Sequence, residues 1–449
     1  MSNTKEKIQP GKMLLLGFQH VFAMFGATVL VPTLTGLSVS ATLLFAGLGT
    51  LLFHLLTKRK VPAFLGSSFA FLGGYFAVNS LVSDYNATLA EGAAAVNWIP
   101  YAGVGVACAG LLYVILSALF KAFGPSKVMR FFPPIVTGPI IICIGITLAN
   151  SAVNNCAANW PIALLALAIV VVCNIWGKGM IKIIPILLGV VGSYVVAAVC
   201  GLVDFTPVKE AAWVGLPFQV KDTVFSFATE GVNGGLLASA IAMMMPIALA
   251  TIIEHIGDMC AISSTVEKNF IADPGLHRSL LGDGLATAMA SLFGAPANTT
   301  YGENTGVLAL TKVYDPKVVR LAAVIAVLFS FCPKFAALVS CMPVATIGGV
   351  SLILYGMISA VGVRNVVENQ VDFTKSRNVI IAALIMALSL GINFSNAGAI
   401  AFSVFGIQIS LSGLAEAALV GIILNAVLPG NDYEFGKNDQ GDKSVNFKV

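Results

Sequence analysis

A polytopic all-α membrane protein is the fold class that this sequence predicts, on three observations. The chain is 57% hydrophobic and 10% charged over 449 residues, whereas a soluble domain carries about 25% charge. Apolar runs of about 20 residues, long enough to cross a bilayer, recur from one end to the other. Lysine and arginine collect in alternate connections between those runs, the bias that marks cytoplasmic loops. With a mean hydropathy of +0.91 the chain cannot be soluble.

Fourteen spans follow, at roughly 13–32, 40–57, 62–80, 97–120, 131–150, 159–176, 181–202, 236–263, 275–293, 297–312, 317–333, 340–362, 377–394 and 398–428. The stretch 203–235, with Trp213, Pro217 and Phe218, reads as an interfacial loop. With both termini cytoplasmic, all but Lys209, Lys221 and Lys334 of the 25 Lys and Arg fall inside. Asp84 and Glu91 fall outside. One miscounted span would scramble that pattern. The first apolar run holds His20 and Pro32 and lacks a small-residue cleavage pattern, so no cleavable signal is expected. The tail after Pro429 reads as disordered.

Fourteen is twice seven, and a duplicated unit of seven spans must insert with inverted topology. Span three carries Pro62 and then Leu-Gly-Ser-Ser-Phe-Ala-Phe-Leu-Gly-Gly at 65–74. Span ten carries Pro296 and then Asn-Thr-Thr-Tyr-Gly-Glu-Asn. Both are short and interrupted by Gly, Ser or Thr. Polar, irregular backbone survives at membrane depth only where it is buried in protein or lines a cavity. Paired interruptions at matching places in two halves point to a midplane transport site. The two segments are expected to form short extended strands between opposed half-helices.

Five acids remain within spans: Glu254, Asp258, Asp283, Glu303 and Glu416. Glu254 and Asp258, four apart, share one helix face. In a low dielectric two such carboxylates do not both ionise easily, so they titrate as a unit, suitable chemistry for a proton-coupled carrier. Asp283, in Leu-Gly-Asp-Gly-Leu, fits a packing role at least as well as a functional one, and Glu416 reads as structural or interfacial. Of the four histidines, His277 reads as structural and His54 as snorkelling from the end of span two. His255 points about 100° away from Glu254 and reads as a packing or supporting group. His20, beside Gln19 in span one, is open to two readings, a functional histidine or an orienting hydrogen bond to a neighbouring helix.

The ligand follows from the donor set. Carboxylates accept from N–H groups, and free amides at broken-helix ends donate to carbonyl oxygens. Phe69 and Tyr301 offer flat aromatic faces. Together they describe a small planar molecule alternating ring N–H and C=O, such as a nucleobase. An inorganic anion would require Lys or Arg within the spans. No HExxH, GxSxG or P-loop occurs and no histidines cluster, so neither an enzyme, a metal site nor a cofactor is expected. The eight cysteines lie mostly in apolar runs without a CxxC and read as small core residues. The net charge of +4, spread over short loops, argues against nucleic-acid binding.

Several blocks resemble the nucleobase–ascorbate transporter family, and within it the bacterial uracil permeases. They are Gln19-His20 with Phe22 to Pro32, Pro62-Ala63, Gly66 to Phe71, Glu254-His255-Ile256-Gly257, Pro274 to Arg278, and Asn298 to Asn304. The family signature, an acid or amide, Asn-x-Gly, four residues and Thr, is matched by Glu303-Asn304-Thr305-Gly306 through Thr311. The resemblance implies two inverted seven-span repeats, proton symport and a homodimer formed through a gate domain. It divides the chain into core segments 1–130 and 236–335, gate segments 131–235 and 336–428, and a cytoplasmic tail, 429–449. It implies a bacterial inner-membrane location. Glu254 and Glu303 would hydrogen-bond uracil, and backbone amides of Phe69 and Gly302 would donate to its carbonyls. Glu254, Asp258 and Glu303 would couple protons, with His20, Asn304 and Ser68 supporting. Glu303 stands where purine-transporting relatives usually carry Gln, which favours uracil over xanthine. One departure is plain: the family's Glu-His-x-Gly-His ends here in Asp258. A histidine titrates near 6.5 and an aspartate near 3.9, so the Glu254–Asp258 pair is expected to replace it.

Overall fold

The structure, a computed structural model, describes residues 9–90, 94–396, 398–404, 407–431 and 433, and some side chains within these elements, Glu303's among them, lie outside the description. Glu91 and all of the tail after 431 except residue 433 also lie outside it.

Polar caps and prolines set the element boundaries. Helix α1 (Pro10–Thr35) stops at Gly36, whose φ of 79° is the left-handed conformation of a helix end. Ser38 starts α2 (Val39–Leu56) by accepting the Ala41 amide. Strand β1 (Leu65–Ser67) runs through a 3-10 turn at Phe69–Phe71 into α3 (Leu72–Ala87). Asn97 caps α4 (Trp98–Phe123). Prolines then stand in the first turns of α5 (Pro134–Ala157), α6 (Trp160–Ile175) and α7 (Pro185–Val199). Asn233 caps α8 (Gly234–Met244), which passes through a 3-10 turn at Pro246 into α9 (Ala248–Val266). Then come α10 (Leu276–Leu292), strand β2 (Asn298–Thr300) and α11 (Gly302–Thr311). Asp315 caps α12 (Pro316–Ser330), followed by α13 (Pro333–Ser340), α14 (Val344–Glu368) and α15 (Ser376–Asn393). Strands β3 (Ala399–Val404) and β4 (Ile407–Ser412) precede α16 (Gly413–Val427).

Among the described residues seven helices are long and apolar enough to cross a membrane, or eight if the bent pair α12 and α13 is one span; α6, α7 and α16 are shorter apolar helices. The chain is a multi-pass membrane protein of predominantly helical fold.

Two expectations need correction. The run 398–428 is not one helix: an antiparallel hairpin, with Ala399 opposite Ser412, precedes a 15-residue helix. Ile407, Ile409 and Leu411 alternate with Gln408, Ser410 and Ser412, a period of two that overall apolarity hid. The eleventh span, expected at 317–333, is matched by α12, and α13 follows it across an 88° bend ahead of Pro333. His54 does not snorkel: it is fully buried, with Nε2 2.9 Å from the Ala63 carbonyl.

Helices from the two halves interleave. α2 packs along α12, α4 along α10 and α5 along α14. In lipid, close backbone approach drives such contacts more than hydrophobic burial does. Gly110 of α4 and Gly284 of α10 face each other, and a Cβ on either would stand 2.6 Å from the other's carbonyl oxygen.

Candidate functional site

Pro62 and Pro296 keep the residues before them out of helix, so both interrupted segments enter the fold extended. β1 and β2 pair antiparallel, with Leu65 opposite Thr300, Gly66 opposite Thr299 and Ser67 opposite Asn298. The Ser68 amide donates to the Ala297 carbonyl at 2.8 Å and the Tyr301 amide to the Phe64 carbonyl at 3.0 Å. A two-stranded pair this short is marginal alone, and surrounding side chains secure it. The Tyr301 hydroxyl donates to the Ser67 carbonyl at 2.9 Å. Its ring lies over Gly66, where a Cβ would stand 2.5 Å from two ring carbons. The Tyr75 hydroxyl accepts from the Ala297 amide at 2.8 Å, and the Thr50 hydroxyl from the Leu65 amide at 2.9 Å. Thr287 donates to the Asn298 carbonyl at 2.7 Å, and the Asn298 side chain donates to the Phe45 carbonyl at 2.9 Å. These bonds satisfy polar backbone that lipid could not.

Each strand leads into a helical start, β1 into Phe69–Phe71 and β2 into α11. The leading amides of a helix have no partner within it, and the dipole makes that end positive. The predicted donors, the amides of Phe69 and Gly302, occupy those two starts. Ser68 is buried, and its hydroxyl has no hydrogen-bond partner among the described residues.

Helix α9 brings acids to this crossing. Glu254 and Asp258 are both half-buried, one turn apart. Asp258 Oδ2 accepts from Thr300 Oγ1 at 2.8 Å, which ties α9 to β2. The Glu303 side chain lies outside the described residues; its backbone is in the first turn of α11. His20 and Asn304 meet: the Asn304 amide lies 3.0 Å from His20 Nδ1 and donates to the His20 carbonyl at 3.2 Å.

The aromatic rings are engaged by protein. Phe69 meets Tyr355 of α14 edge-on, with centroids 5.7 Å apart, and Tyr301 covers Gly66. A cavity of about 180 Å³ opens beside Phe69, between Gly73 of α3, Asn150 and Ser151 of α5 and Leu414 of α16. Glu254 and Asp258 are not in its lining.

Sequence reasoning missed three partners. Thr300 reads as ordinary strand polarity until its register is known. Tyr355, fully buried on α14, has no local signal. His255 and Asp283 form a wholly buried pair, with Nδ1 2.8 Å from Oδ2 and Nε2 3.0 Å from Ser279 Oγ. An acid between two glycines in an apolar run was the available clue to that pair.

A sequence model of the permease family matches residues 11–398. The chain is 42% identical over 430 residues to the uracil permease of Bacillus caldolyticus, covering 94% of this chain and 93% of that one. It is 39% identical over 453 residues to the uracil permease of Bacillus subtilis (strain 168), covering 98% and 97%. Its fold is similar to the transmembrane domain of a cyanobacterium bicarbonate transporter, BicA, with a TM-score of 0.57, 14% identity and coverage of 92% and 96%.

Proposed function

This chain belongs to the permease family, and on that premise we propose that it carries uracil across the cytoplasmic membrane in symport with protons. The names of its relatives support uracil. One observation carries the mechanism: the 2.8 Å bond from Thr300 to Asp258 sets an acid-bearing helix against the strand that leads into α11. In this reading the amides of Phe69 and Gly302 donate to the uracil carbonyls, and Glu254 and Glu303 accept its ring N–H groups. Protonation of the Glu254, Asp258 and Glu303 set from outside favours loading, and low internal proton activity favours release. His20, Asn304 and Ser68 hold the backbone beneath, and Tyr301 acts by clamping the strands.

The architecture we propose has fourteen spans in two inverted repeats. Packing supports it. Shifting every span by seven exchanges the α4–α10 contact with the α12–α2 contact, and it returns β1–β2 and α5–α14 to themselves. Segments 1–130 and 236–335 then form the core that rocks against a gate made of 131–235 and 336–428, through which two copies pair. Both termini face the cytoplasm.

Uracil is neutral at pH 7, so each proton carries one charge inward. At 100 mV that contributes about 2.3 kcal/mol, enough for about 50-fold accumulation. The test is labelled uracil uptake into proteoliposomes under an inward proton gradient, with unlabelled xanthine as competitor. Accumulation that an uncoupler abolishes and xanthine leaves alone is expected. Equilibration without accumulation would refute the coupling and leave a facilitator. Uptake of xanthine in place of uracil would refute the role given to Glu303. An Asp258→Asn variant with wild-type pH dependence would remove Asp258 from the coupling.

A further inference from the structure

A second cavity, of about 280 Å³, lies at the end of α2 that precedes Lys58-Arg59-Lys60, and it is lined by Leu51, His54, Leu55, Arg59 and Arg320. It shares no residue with the cavity beside Phe69. Two guanidiniums line it and no carboxylate does. Asp315, at the head of the same helix as Arg320, caps α12 by accepting the Lys317 amide at 2.9 Å. Arg320 Nη1 is buried without a hydrogen-bond partner among the described residues. His54 points the same way. Its Nε2 lies 2.9 Å from a carbonyl, which can only accept, so Nε2 carries the proton. That leaves Nδ1, also without a partner, as an acceptor on a wholly buried ring.

The turn that supplies Arg59 is firmly built. Lys58 and Arg59 take φ of 56° and 58°, left-handed values that cost energy outside glycine. The Arg59 amide donates to the His54 carbonyl at 2.6 Å, and the Arg278 guanidinium donates to the Leu56 carbonyl at 3.0 Å. Leu51 and Leu55, one turn apart, add an apolar wall, with Leu55 60% exposed.

We infer that this cavity binds a phosphate ester. The anion sits between Arg59 and Arg320, whose planar forks suit phosphate oxygens. His54 Nδ1 accepts a hydrogen from the ester's hydroxyl or from a water, and the ester's alkyl part lies along Leu51 and Leu55. An anionic phospholipid and a soluble organic phosphate share this chemistry. The place where an apolar span meets a basic segment is where anionic headgroups lie. The inference does not depend on what the protein transports.

The test uses the full chain purified in detergent. Thermal melting is followed during titration with phosphatidylglycerol, phosphatidylcholine or glycerol 3-phosphate. Arg59→Asn keeps a residue that tolerates the left-handed turn and removes the guanidinium; Arg320→Gln removes the other, and Lys209→Gln is the control. Phosphatidylglycerol should raise the melting temperature saturably where phosphatidylcholine does not. Its apparent Kd should weaken about tenfold or more in each arginine variant, as expected for loss of a charge-assisted contact, and stay unchanged in the control. An equal, arginine-dependent response to glycerol 3-phosphate would support the site and name a soluble ligand as its occupant. An anion response identical in wild type and Arg59→Asn, or no response in wild type, would overturn the inference. Arg59 lies in an exposed turn, so that variant decides the matter even if Arg320→Gln fails to fold.

Discussion

Thr300→Val tests whether α9 acts on the strand pair. Thr300 is buried at 2% exposure, and its hydroxyl reaches Asp258 Oδ2 at 2.8 Å. Valine keeps the shape and removes the donor. A hydrogen bond to a charged group contributes about 1.5–3 kcal/mol, which corresponds to about ten- to hundredfold in an equilibrium constant. Asp258 is only half-buried and has further interactions. Water and those partners recover part of the loss, so the expected effect is near the lower end, about tenfold. The assay is uracil uptake into proteoliposomes across pH 5.5–8. Thr300→Val should raise KM about tenfold and move the pH profile, because the hydroxyl distinguishes charged from neutral Asp258. Thr300→Ser keeps the donor and should restore both. A merely structural role would lower the amount of folded protein without moving the pH profile. An unchanged KM and profile in well-folded Thr300→Val would refute the argument.

Three further outcomes are expected. Gly66→Ala drives a methyl into the Tyr301 ring, 2.5 Å away; overpacking of this kind costs about 1–3 kcal/mol, and uptake should fall sharply while Gly391→Ala, with open space around it and outside both cavities, is tolerated. His255→Leu strands the buried Asp283, which costs about 3–5 kcal/mol; adding Asp283→Leu should recover part of the melting temperature, and a double variant less stable than the single would contradict this. Lys60, hydrogen-bonded to Asp273 in an exposed turn, holds that carboxyl below its ordinary range. A lowered carboxylate pKa contributes stability above the unfolded value, about 3.9, and loses it as pH falls through the folded value. Melting of Asp273→Asn should therefore differ from wild type by the same small amount at pH 6 and pH 8, with the gap closing only in strong acid.

Periodicity and proline make the helical, multi-pass character of the chain legible in its sequence. The apolar runs marked the long helices to within a few residues, because length and composition alone decide whether a segment can cross lipid. Pro62 and Pro296 marked the interrupted segments, and the strands formed where polar backbone needed a partner. The hairpin at 399–412 was hidden because β3 is almost wholly apolar and the period of two in β4 is short, inside a run whose overall apolarity reads as a span. The site was legible in part. Glu254 and Asp258 shared a face by spacing, and an orienting hydrogen bond was one of the two readings of His20, although its partner Asn304 was not foreseen. The partners Thr300, Tyr355 and Asp283 were not legible, since contacts between residues 42, 286 and 28 apart depend on how the elements cross and leave no trace in local pattern. The turn of the Tyr301 hydroxyl to β1, which the close approach of Gly66 makes possible, also has no local signal.

The crossing of β1 and β2 is too well tied to be the moving part of a carrier. Its own ladder is three residues a side, but Tyr301 clasps the two strands together, and Tyr75, Thr50, Thr287 and Asn298 fasten them to α2, α3 and α10. Opening it would expose several buried backbone groups at once, each at a cost of about 1–3 kcal/mol. The contact from Phe69 to Tyr355 is different. It joins the turn after β1 to α14 through a single T-shaped ring contact, worth about 0.5–1.5 kcal/mol beyond burial, and the cavity lies beside it. Separation between the strand pair and α14 is therefore the cheaper motion by several kcal/mol. Hydrogen exchange tests the ranking. The amides of Leu65, Ser68, Ala297 and Tyr301 should exchange equally slowly with and without uracil, while a Tyr355→Ala variant alters uptake kinetics and leaves that protection intact. Faster exchange at the crossing on adding uracil would show that the strands themselves part during transport.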